Sequence, residues 1–81
     1  MQILCKSFDL VGLTEGELSF IAECFFSEAD HDFDSGYMAL ARSGFDKAQQ
    51  LFRVIAHESD WYALRLRKCE EKLAEIAEQE N

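Results

Sequence analysis

Asp30, Asp32 and Asp34 recur at two-residue spacing around His31, and carboxylates so spaced are what a calcium loop presents first. An EF-hand takes oxygen ligands at its first, third and fifth places, a glycine at the sixth for the sharp turn and a bidentate Glu at the twelfth. Counted from Asp30, the sixth place is Ser35 and the twelfth is Ala41, so the pattern fails where geometry and charge are most needed. The run reads as a solvated acidic connector. His31 has no second His or Cys at ligand spacing on the same element, so a transition-metal site is not expected either. No metal or cofactor is expected.

Nucleophilic catalysis needs a thiol or hydroxyl beside a positioned base, and the chain has no glycine-rich elbow or phosphate loop to set such geometry. Cys5, Cys24 and Cys69 are widely spaced, form no CxxC pair, and include two on apolar helix faces. They read as buried, reduced thiols of a reducing compartment, since burial in apolar surroundings raises a thiol pKa and makes it inert. His57 stands near a helix end, where a protonated imidazole suits the negative dipole. No catalytic residue is expected, and the chain reads as a non-enzyme.

Arg65, Arg67, Lys68 and Lys72, close to Trp61 and Tyr62, form the one basic cluster, but Glu70, Glu71 and Glu75 intrude. The 81 residues carry 16 acidic and 8 basic side chains, a net charge of −8. The imbalance is local: residues 1–34 hold eight acidic side chains and one basic, while the remainder is close to neutral. Phosphate binding requires basic patches, so nucleic acid and anionic membrane are not expected partners. No run of 18 apolar residues appears, and Met1 to Lys6 lacks the apolar core of a secretory signal, so cytoplasmic residence is expected.

These residues must be positioned by helices. Thr14-Glu15-Gly16-Glu17 fits a capping box and predicts a helix over 14–29, with Leu18, Ile21, Ala22 and Phe25 on one stripe and Phe20, Cys24 and Phe26 widening it. Asp30 to Ser35 reads as a connector, Asp34 or Ser35 capping the next helix. Tyr37, Leu40 and Ala41, then Ala48, Leu51, Phe52 and Ile55 after Gly44, give an αα-hairpin over 34–57 that turns at Ser43-Gly44. Ser59 or Asp60 caps a long closing helix over 60–79, whose Tyr62, Leu66, Cys69, Leu73 and Ile76 follow alternating four-and-three spacing. Gln2 to Leu13 is compatible with a short helix, a strand or an arm. The class is all-α: a single domain over 1–81, a small bundle of three to four helices. At this length only about 60–65% of the unfolded chain's surface is buried, so a partner chain is a natural source of added stability.

Gly36 followed twelve positions later by Ala48, with Phe45 before and Phe52 after it, resembles one tetratricopeptide repeat over about His31 to Leu64. The match is closest from Ser43 to Phe52. Asp32, Ser35, Ala39 and Ile55 depart from the family's pattern and no proline closes the unit, so the segment resembles a degenerate repeat. With its small size and acidity, the chain is similar to the cytoplasmic chaperones of bacterial type III secretion. That resemblance implies a helical or extended client lying across a concave face.

The expected function is accordingly a chaperone or adaptor that buries an apolar segment of another protein. Contact residues are Phe20, Phe26, Tyr37, Trp61 and Leu64, apolar or aromatic side chains beyond the narrow stripes a core requires. Core anchors include Leu18, Ile21, Phe25, Leu40, Phe52 and Ile76. A second reading is an acidic inhibitor or nucleic-acid mimic that covers a basic surface through Asp30, Asp32 and Asp34. A third is self-association through the last helix, so a hetero-oligomer or a homodimer is open.

Overall fold

The computed structural model describes residues 13–80, and all the regular structure there is helical. Cys5 and the undecided stretch before Leu13 lie outside the described residues. Three long helices follow in order: α1 (Glu15–Ser35), α2 (Met38–Ile55) and α3 (Asp60–Glu80), with a 3₁₀ turn at Ala56–Glu58. No helix among them is long and apolar enough to cross a membrane.

The start of α1 follows the sequence signal. Thr14 Oγ1 accepts from the Glu17 amide at 3.2 Å, and the Glu17 carboxylate accepts from the Thr14 amide at 2.8 Å. Two otherwise orphaned amide groups are thereby satisfied, and Glu15 and Glu17 favour the positive end of the dipole.

The end of α1 does not follow the expectation. The helix continues through Asp30–Ser35 instead of stopping near Ala29, because Phe26, Ala29 and Phe33 keep one stripe packed on the core. It stops at Gly36, whose φ of 90° lies in the left-handed region that a side chain disfavours. The Gly36 amide donates to the Phe33 carbonyl at 3.2 Å, and the Tyr37 amide to the Asp32 carbonyl at 2.8 Å. This pair of bonds is a Schellman closure. Asp34 and Ser35 therefore lie in the last turn of α1 and do not cap α2.

The turn expected at Ser43-Gly44 is absent. Residues 34–57 do not fold back as an αα-hairpin; α2 runs unbroken through Gly44 to Ile55, and the hairpin is made by α1 and α2 across Gly36-Tyr37. Gly44 serves a different need. A Cβ there would stand 2.8 Å from the Ala29 Cβ and 3.3 Å from the Phe25 carbonyl oxygen, so its hydrogen is what lets the two helices approach. Ala22, Ala29, Ala41 and Ala48 are all buried as well.

The 3₁₀ turn leads to Ser59, in extended conformation, whose Oγ accepts from the Trp61 amide at 3.1 Å and caps α3. His57, at this turn, is exposed and pairs with Glu58 at 2.8 Å.

Helix α2 is the middle layer and packs against both others. Phe45 and Phe52 are fully buried, Phe45 meeting Phe26 edge-to-face at 5.5 Å and Phe52 meeting the Tyr62 ring at 6.4 Å. On α3, Cys69 and Ile76 are fully buried, as the four-and-three spacing requires. Helices α1 and α3 run in the same direction: Tyr62 near the start of α3 bonds Glu15 at the start of α1, and Lys72 sits over Phe33 near the end of α1.

Candidate docking surface

Each expected contact residue has a definite place. Phe20 is 70% exposed on the outer face of α1, and Tyr37, Trp61 and Leu64 are each about half-exposed or more. Phe26 is buried in the core, contrary to the exposed place expected for it. It is 9% exposed, packed edge-to-face on Phe45 and covered by the Arg65 guanidinium at 4.5 Å. Its position one turn beyond Ala22 puts it on the core stripe, four residues from the small side chain that admits it. Leu40 shows the reverse error: placed in the core by spacing, it is exposed on α2, one turn after Tyr37.

These side chains do not form one patch. Tyr37 and Leu40 lie at the α1–α2 turn, Phe20 on the back of α1, and Trp61 and Leu64 on α3. Trp61 is anchored, its indole N–H donating to the Glu23 carboxylate at 3.3 Å. The same carboxylate oxygen accepts from Arg65 Nε at 3.1 Å, and the guanidinium lies between the rings of Phe26 and Trp61. The α1–α3 seam is thus made of charge, hydrogen bonds and aromatic faces. With the Tyr62 hydroxyl donating to Glu15 at 2.8 Å, it fixes Trp61 and Tyr62 at its rim.

Among the described residues, the continuous open surface is the outer face of α1. Phe20, Ile21, Cys24 and Phe25 line a shallow apolar groove with Glu23, Ser27 and Glu28 around it. It continues toward the start of the helix past Glu17, Gly16 and Leu13. A second, narrower cleft runs between α1 and α2 at Phe25, Leu40 and Lys47. Cys24 is exposed in the first groove, contrary to the expectation of a buried thiol, whereas Cys69 is buried as expected. Burial pushes the Cys69 thiol up to about 12, only partly offset by the nearby Arg65. The sequence signal for Cys24 was its i+4 relation to Phe20, which puts both opposite the alanine stripe of the core.

The acidic trio does not converge. Residues two apart on a helix point about 200° away from each other, so Asp30, Asp32 and Asp34 alternate sides of α1. Among the described residues, no three His, Cys, Asp or Glu side chains gather where they could hold a metal ion.

The fold and surface of the described residues define a class no narrower than three packed helices with an open apolar helix face. Compared with protein-family models, curated proteins and solved structures, the chain shows no match in any of the three.

Proposed function

We propose that this chain is a non-enzymatic protein-binding module, a chaperone or adaptor, that buries an apolar helical or extended segment of a partner on the outer face of α1. The observation that carries this reading is Phe20: a phenylalanine left 70% exposed at the head of an apolar groove with Ile21, Cys24 and Phe25. Scattered exposed apolar side chains need no explanation, but a contiguous groove on one helix fits helix-in-groove recognition. Trp61, Leu64 and Tyr37 are secondary contacts at the edges. Within this reading the tetratricopeptide-like signature points to a client of the type III secretion kind, and that refinement rests on sequence alone.

The test is affinity capture from native cell extract at low and high salt, comparing the native chain with Phe20→Ser. Phe20 is too exposed for its loss to matter to folding, so a change in capture reports binding. The expected result is one protein held at both salts and lost with Phe20→Ser. Equal capture by both forms overturns the reading.

The second reading, an acidic inhibitor of a basic surface, is favoured by the last turns of α1, which hold Asp30, Asp32 and Asp34 and have no basic residue in the final turn. It predicts capture only at low salt, weakened by Asp30→Asn with Asp34→Asn and indifferent to Phe20→Ser.

A further inference from the structure

Helix α1 carries four phenylalanines, and three of them have a cation over the ring. Lys47 of α2 lies over Phe25 at 5.6 Å, Arg65 of α3 over Phe26 at 4.5 Å, and Lys72 of α3 over Phe33 at 4.2 Å. The fourth, Phe20, has no such cover among the described residues and is the most exposed of the large apolar side chains there. The arrangement on the inner edge shows what covers this helix. There α1 offers rings beside the Glu23 carboxylate, and α3 answers with Trp61 and Arg65, apolar surface and positive charge on one helix.

The outer stripe repeats the first half of that pairing. Glu17, Phe20, Cys24 and Glu28 fall at i, i+3, i+7 and i+11, so they share one face, with Ile21 beside them. The two carboxylates stand about 16 Å apart along the axis, with the apolar residues between them. Glu17 and Glu28 are both exposed, and among the described residues that line the outer groove none is basic, Lys47 meeting Glu28 only in the cleft between α1 and α2.

From this complementarity we infer that the occupant of the outer face of α1 is a basic amphipathic helix of a partner protein. Its apolar side chains cover Phe20, Ile21 and Cys24, a lysine or arginine lies over the Phe20 ring, and basic residues about three turns apart face Glu17 and Glu28. This inference rests on the protein-binding reading above and names the chemistry of the partner. Each cation–ring contact at an exposed site is worth about two- to fivefold in affinity, and the carboxylates add a salt-dependent share.

Two synthetic 18-residue helical peptides test it, identical in their leucine face but carrying lysines in one and glutamates in the other at two flanking positions eleven apart. Binding of each labelled peptide to the full chain is followed by fluorescence anisotropy at low and moderate salt. The lysine peptide is expected to bind at least tenfold tighter, and Phe20→Ser to abolish its binding. Glu17→Gln with Glu28→Gln should cut that preference at least threefold, Gln at position 17 still closing the capping box. Asp30→Asn with Asp34→Asn removes the same charge off the stripe and should leave most of the preference.

Equal binding of the two peptides, no binding of either, or equal effects of the two double variants overturns the inference. So does a concentration-dependent dimer in sedimentation that Phe20→Ser abolishes, which would make a second copy the occupant. If Phe20→Ser abolishes capture from extract while the peptides bind equally, the protein-binding reading stands and only the partner chemistry fails.

Discussion

The two seams of α1 are built on opposite principles. Against α2 it packs backbone to backbone: Gly44, Ala29, Ala22 and Ala48 remove side-chain bulk, and Phe26 and Phe45 fill what remains. Against α3 it keeps its distance and is bridged by long side chains, Arg65 and Trp61 on Glu23, Tyr62 on Glu15, Lys72 on Phe33. The first seam is dry and intolerant of volume, since a close-packed interior cannot absorb even a methyl group without displacement. The second is half-open to water, so its charges are screened and its contacts exchangeable. A single helix can therefore be locked on one side and adaptable on the other.

The largest effect expected is at the shared core. Phe52→Ala removes a fully buried ring and should cost about 3–5 kcal/mol, read from urea unfolding followed by circular dichroism. In a domain whose total stability is about 5–15 kcal/mol, a smaller loss would show that α2 is less central than its burial implies.

Gly44→Ala is the sharpest test of the dry seam. Helix propensity alone predicts a gain of about 1 kcal/mol; the 2.8 Å approach to Ala29 predicts instead a loss of about 1–3 kcal/mol. Pairing it with Ala29→Gly should restore part of that loss in a double-mutant cycle. Stabilisation by Gly44→Ala would break the comparison.

A third test uses Cys69, which sits in the dry interior. Its thiol is held up to about 12 by burial, above the ordinary value of 9.0. A raised folded-state value means the unfolded chain releases its proton first. The contribution is therefore intact below about pH 9 and is lost between about 9 and 12, at up to about 1.4 kcal/mol per pH unit. Urea midpoints from pH 8 to 10 should fall more steeply for the native chain than for Cys69→Ala, with identical slopes counting against a buried thiol. Cys24, being exposed, should react with a thiol reagent in the folded protein while Cys69 does not.

The smallest effect belongs to the wet seam. Glu23→Gln should cost under about 1 kcal/mol and the difference should vanish in 1 M salt. Arg65→Ala should cost somewhat more, about 1–2 kcal/mol, because the guanidinium also covers the Phe26 and Trp61 rings. A loss above 3 kcal/mol from Glu23→Gln would mean this seam is as rigid as the other.

The helical class, the capping box at Thr14, the cap at Ser59 and the seam of α3 through Cys69 and Ile76 were all legible in the residues, because each depends on neighbours within a turn or two. The exposure of Phe20, Tyr37, Trp61 and Leu64 was legible as well. Phe26 and Leu40 were exchanged. Both satisfy helical spacing, and which side of a broad apolar helix turns inward depends on what the neighbour presents.

The two glycines mark the boundary between what the sequence by itself determined and what tertiary structure decided. A glycine announces either a backbone angle that needs no side chain or a neighbour that leaves no room for one, and spacing alone does not separate the two. Reading Gly44 as the turn and Gly36 as a helix residue inverted them. Helix α1 runs on through Asp30–Ser35 to a left-handed Gly36, and Gly44 lies mid-helix where Ala29 comes close. The residues determined that this chain would be helical, because hydrogen bonds and caps are local. The place where it turns was decided by the contact of α1 with α2, which is between residues fifteen apart.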